Sequence, residues 1–124
     1  MKKRYLAQCS GLFLLTAFYL PGGRPAAASQ DTAPRRIEIV AKRFSFQPSE
    51  VTLKKGLPVV LVFSSQDVTH GIKVTELNLE AEIKKDTTKE LAFTPTEAGD
   101  YVGHCSHFCG EGHGSMTLAL HVTE

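Results

Sequence analysis

Residues 104–116 read HCSHFCGEGHGSM and place two cysteines, three histidines and a methionine within thirteen positions. The whole chain has only three cysteines and two methionines, so its sulfur is concentrated here. Cys105, Cys109, His113 and Met116 follow the spacing C-x3-C-x3-H-x2-M. Thiolate, imidazole and thioether together favour copper, because soft sulfur ligands select Cu(I) and imidazole suits either oxidation state.

The same residues admit several sites. A blue copper centre needs one cysteine, two histidines and a weak axial methionine. Cys109, His113, Met116 and a distant His70 would satisfy it, leaving Cys105 a spectator. Zinc would take Cys105, Cys109, His113 and His70 in a closed tetrahedron, which leaves Met116 without a role. A binuclear copper site uses every one of these side chains: two thiolates bridge two ions, one imidazole terminates each, and the thioether is a weak further ligand. In an exported chain two cysteines also suggest a disulfide. Here that pairing is expected of the metal-free protein in an oxidising compartment.

Any of these sites requires His70 to meet a segment that begins 34 residues later. Short runs rich in β-branched and aromatic residues, separated by turn signals, indicate how this happens. RIEIVAKRFSF alternates Ile37, Ile39 and Ala41 against Arg36, Glu38 and Val40, a half-buried strand pattern. SEVTLKKG puts Val51 and Leu53 on one face. LPVVLVFSS is nearly continuous apolar sequence, as in a strand covered on both sides. GIKVTEL, KELAFTP and DYVGH are further short strands, and SMTLALHV carries Met116, Leu118, Leu120 and Val122 on one face. Only LNLEAEIKK, residues 77–85, has a helical reading. Seven or so strands with frequent turns predict an all-β sandwich.

In that sandwich residues 104–115 form the loop between the last two strands, and SSQDVT leads into His70 from another connection. Both loops are expected at one end. Asp67, three residues before His70, is placed to orient it by a hydrogen bond. His104 and His107 are expected to face solvent, and His121 to be ordinary surface. Phe108, with Phe44 or Phe46, is expected to shield the site or fill the core.

The stretch CSHFCGEGHGSM, with QDVTHG upstream, closely resembles the CuA domain of cytochrome c oxidase subunit II, a member of the cupredoxin superfamily. The resemblance spans about Arg36 to Val122 and implies a cupredoxin-like Greek-key β-sandwich with a binuclear copper centre. By position it implies that Cys105 and Cys109 bridge the two coppers. His70 and Met116 would bind one, and His113 with the backbone carbonyl of His107 the other. The family's role is one-electron transfer, with a donor such as a c-type cytochrome and a terminal oxidase beyond. Sharing the electron over two ions in a fixed cage keeps reorganisation small. His107 stands where oxidase sequences carry a glutamate that helps to hold magnesium. The aromatic patch that oxidase subunits use is also reduced, since the chain has no tryptophan.

The remaining features bound where such a centre would work. Met1-Lys2-Lys3-Arg4, an apolar stretch to Leu20 and then PGGRPAAAS are the parts of a secretory signal peptide. The apolar stretch is short for a membrane span, which needs roughly 20 apolar residues. Residues 1–28 are therefore read as a signal peptide, 29–35 as a flexible leader and 36–124 as the CuA-type domain. Cleavage after Ala28 removes four of the 14 basic residues and none of the 13 acidic ones, leaving a net charge of −3. No basic face for nucleic acid survives this, and Cys105 and Cys109 are the cysteines that remain.

The expected protein is periplasmic or otherwise exported, soluble after cleavage, and not an enzyme on its own. Its expected partners are redox proteins, a c-type cytochrome or a terminal oxidase. It would touch the membrane only if the signal segment stays uncut, as an anchored oxidase subunit II. The other rival is a protein that stores copper or delivers it to an oxidase.

Overall fold

The computed structural model describes Gly22 and residues 33–124. The expected signal peptide, apart from Gly22, and residues 29–32 of the leader lie outside the described residues. Nine strands follow one another: β1 Arg35–Lys42, β2 Ser45–Gln47, β3 Glu50–Lys54, β4 Val59–Ser65, β5 His70–Val74, β6 Leu79–Ile83, β7 Thr88–Phe93, β8 Gly99–His104 and β9 Thr117–Thr123. They form two sheets, ordered β2-β1-β4-β7 and β3-β9-β8-β5-β6. Apart from two single 3-10 turns, Thr75–Leu77 and His113–Ser115, the described residues contain no helix. The expected all-β sandwich is the fold observed.

Alternation builds the sheets. Val51 and Leu53 of β3 point inward between exposed neighbours, and Leu118, Leu120 and Val122 of β9 are buried on either side of the half-buried Ala119 and His121. The two strands pair in parallel with Val51 opposite Leu120 and Leu53 opposite Val122, so their apolar sets share a face. A slip of one residue would turn either set to solvent. From the other sheet Ile39, Leu61 and Phe63 meet them, and the rings of Phe46 and Phe63 pack edge to face with centroids 6.3 Å apart. Each fully buried side chain of this size contributes roughly 1.5–3 kcal/mol.

Two expectations need correction. β4 is not covered equally on both sides, since Val62 and Ser64 are half-buried between fully buried neighbours. Its outer face is partly roofed by the ion pair of Arg36 on β1 with Glu90 on β7, which spans β4 from both flanks. Residues 77–85 form no helix beyond Leu77, the last residue of the first 3-10 turn. Asn78, in the left-handed region at φ 51°, ends that turn ahead of strand β6, and Ala81 and Ile83 go inward while Glu80 and Glu82 stay exposed. Antiparallel pairing with β5, from His70–Ile83 to Val74–Leu79, overrides the helical propensity of Leu, Glu and Ala.

Candidate metal centre

The pairing of β8 with β9 ends at His104–Thr117, and residues 105–116 bulge out between them. The Cys105 N–H donates to the Met116 carbonyl at 3.0 Å, which closes the neck of the loop. Inside it the N–H groups of His113 and Ser115 donate to the carbonyls of Gly110 and Gly112, forming the short turn that carries His113. Five of the six expected ligand positions therefore sit on one self-bonded loop.

His70, the sixth, opens β5, which bridges β8 at Lys73–His104. Extending that antiparallel register brings Gly71 beside Ser106. A Cβ on Gly71 would stand 2.3 Å from Ser106 Oγ and 2.9 Å from the His107 N, so only glycine allows this approach. The missing side chain is what lets His70 reach the cysteines.

The donor atoms converge. One nitrogen of His70 and the Sγ atoms of Cys105 and Cys109 all lie within 4.8 Å of one another. The two Sγ atoms are 3.8 Å apart, far beyond the roughly 2.05 Å of a disulfide, and both thiols are free. Cys109 Sγ also lies 3.9 Å from His113 Nδ1 and 3.9 Å from Met116 Sδ. The Cys105 thiol is directed at the His107 carbonyl, 3.2 Å away, while the rest of His107 is exposed. His70 and Met116 are fully buried, and both cysteines are nearly so. His70, Cys105 and Cys109 thus converge, His113 and Met116 adjoin Cys109, and His107 faces Cys105 by its backbone carbonyl.

The charge environment is set by Asp67. Its Oδ1 lies 2.7 Å from His70 Nε2 and accepts the Val68 N–H, while its Oδ2 accepts the Arg43 N–H. Burial opposes ionisation of this carboxyl, but the hydrogen bonds from Arg43, His70 and Val68 prevail and hold it at about 2. With Nε2 engaged, His70 Nδ1 is left buried with no hydrogen-bond partner. An orphaned buried nitrogen costs about 1–3 kcal/mol, and a metal ion beside the two thiols would relieve it. The donor set thus fits copper.

Burial, then the hydrogen bond and charge of Cys105, push the Cys109 thiol up to about 11. The Cys109 proton is thus in place until a metal displaces it.

Other residues fall differently. Phe46 is core, whereas Phe44 is partly exposed and Phe108 is 76% exposed, so Phe108 fills no core. Its ring instead leans on His113, centroids 5.7 Å apart. His104 is exposed as expected, and His121 is half-buried, its Nδ1 2.6 Å from Asp100 Oδ1. Arg43 was not anticipated. Its Nε donates to the Cys109 carbonyl at 2.8 Å, a contact 66 positions apart in sequence that no local signal announces.

Comparison with known proteins agrees with this geometry. Over 106 residues, 84% of its length, the chain is 29% identical to cytochrome c oxidase subunit 2 of Thermus thermophilus, covering 78% of that protein and 63% of a second subunit 2 sequence from the same organism. The periplasmic domain of subunit II of cytochrome oxidase from Bradyrhizobium japonicum superposes with a TM-score of 0.67 at 18% identity, over 73% of this chain and 84% of that one. The metal binding domain of the Cu(I)-exporting P-type ATPase of Streptococcus pneumoniae D39, with Cu(I), gives 0.59 at 25% identity, over 72% and 85%. The family model of the cupredoxin-like domain matches residues 11–118. Donor set, sandwich and relatives agree on a copper-binding, electron-transfer type of domain, and the chain belongs to the cupredoxin-like domain family.

Proposed function

We propose that this protein is an extracytoplasmic one-electron carrier with a binuclear, CuA-type copper centre, and not an enzyme on its own. The observation that carries the reading is the pair of buried thiols 3.8 Å apart, with imidazole, thioether and carbonyl donors arranged around them. One thiolate would suffice for a mononuclear site. Two converging thiolates suit a pair of ions sharing both sulfurs.

In this reading the thiolates of Cys105 and Cys109 would hold both coppers, His70 and Met116 would be further ligands to one, and His113 with the His107 carbonyl to the other. Copper would supply the one-electron couple. The chain holds its donors in a nearly dry, hydrogen-bonded cage, so that little has to move when charge changes. The partners would be a c-type cytochrome or a terminal oxidase, in line with the oxidase subunits the chain is similar to. Residues 1–28 would serve as an export signal, 29–35 as a leader and 36–124 as the working domain.

A second reading, storage or delivery of copper, draws on the likeness to the metal binding domain of a Cu(I) exporter. Reconstitution of residues 29–124 with copper separates the two. The carrier reading expects two coppers per chain, a purple chromophore, one unpaired electron shared over both nuclei, and reversible reduction. A single copper with a blue-site spectrum overturns the binuclear assignment. Rapid loss of copper to a Cu(I) chelator favours delivery.

A further inference from the structure

The ligands all belong to the five-stranded sheet and its loop, yet a turn of the other sheet touches both halves of the cage. This turn, Arg43-Phe44 between β1 and β2, meets the His70 side through backbone. Ala41 O accepts the Gln66 N–H at 3.0 Å, and the Arg43 N–H reaches Asp67 Oδ2 at 2.7 Å. Asp67 in turn holds His70 Nε2. The turn meets the cysteine side through side chains. Arg43 Nε donates to the Cys109 carbonyl at 2.8 Å. The ring of Phe44 lies so close to Gly110 and Gly112 that a Cβ on either would come within 2.9 Å of it.

The geometry points to Arg43 as a positioning residue for the copper cage, with Phe44 as its support. The proposal rests on the carrier reading above and deepens it. The two ligand-bearing segments meet at Gly71–Ser106, on the Cys105 side. On the Cys109 side the Arg43-Phe44 turn bridges them, and among the described residues its hydrogen bond to the ligand loop is Arg43 Nε to Cys109 O. That bond fixes the peptide of Cys109, hence the aim of its Sγ, relative to the Asp67–His70 pair. The guanidinium borders a cavity of about 290 Å³ shared with Val68 and the Phe108–Gly110 segment. Without the guanidinium, water would reach the Cys109 carbonyl and the loop would lose its tie to the opposite sheet.

Two substitutions isolate the bond. In Arg43→Gln the amide Nε2 stands as many bonds from the backbone as Arg Nε, so the donor is kept and the charge removed. Arg43→Met has the same length and no donor. Neither touches the backbone N–H that serves Asp67. With copper bound, Arg43→Met is expected to lose metal to a Cu(I) chelator about tenfold faster, the worth of one hydrogen bond, with a shifted visible spectrum. Arg43→Gln is expected to remain near wild type.

Amide exchange in the metal-free protein tests the tie without copper. Gly110 to His113 should exchange faster in Arg43→Met, while Leu118 and Leu120 should not. Wild-type loop exchange, spectrum and copper loss in Arg43→Met would overturn the proposal. A fall in thermal midpoint with an unchanged spectrum would also overturn it, because Arg43 would then support only the fold. If the wild type takes up one copper, the carrier reading fails, and the exchange experiment still decides the role of Arg43.

Discussion

A serine hydroxyl at position 109 would stay protonated at neutral pH and could not join two metal ions as a thiolate does. Cys109→Ser is therefore expected to abolish the binuclear chromophore in a protein that still folds, read by visible spectroscopy and copper analysis. His107→Ala is expected to retain it, because the atom directed at Cys105 is the carbonyl, which alanine also has. Bleaching in a folded His107→Ala protein would make its imidazole a ligand or an essential support. Away from the cage, His121 offers a pH test. The hydrogen bond to Asp100, aided by the charges of Asp100 and Glu50, raises its pKa above the ordinary 6.5. A group raised on folding adds stability that is complete below its unfolded value and lost as pH rises through the folded one. Denaturant unfolding of wild type and His121→Gln should differ below 6.5 and converge at alkaline pH. A gap that persists there would assign His121 a packing role instead.

Strand β5 and the ligand loop depend on each other through Gly71. Gly71→Ala puts a methyl group against backbone that belongs to the loop, and overpacking of this kind typically costs about 1–3 kcal/mol. Denaturant titration should show a loss of this size, and copper uptake should fall with it because His70 is pushed from the thiols. Unchanged stoichiometry and stability would mean that the loop yields freely. The same element scale explains what could be read in advance. β3 and β9 were legible because their apolar residues alternate without interruption, and the ligand loop because five of its donors are neighbours in sequence. β6 was obscured because Leu79, Glu80, Ala81 and Glu82 are good helix formers, and only the ladder with β5 settles their state. Arg43 gave no sign because its partner lies far along the chain and is a backbone oxygen, which every residue carries.

Removal of residues 1–28, as proposed above, would take the net charge from +1 to −3, so the same domain would present a different field to a partner. N-terminal sequencing of exported protein is expected to begin at or near Ser29, and membrane-retained full-length chain would support the anchored form. Long-range pairing governs the molecule as a whole. β3 reaches its parallel partner β9 in a register from Glu50–Ala119 to Lys54–Thr123, 69 positions apart. Closing so large a loop is entropically slow, and chains dominated by such contacts fold in about milliseconds to seconds. β3 therefore waits, unpaired in its sheet, for a strand synthesised long after it. The neck of the ligand loop, by contrast, closes within the β8–β9 pair, at His104–Thr117. An ion that arrived before those strands joined would meet loose thiols instead of a cage.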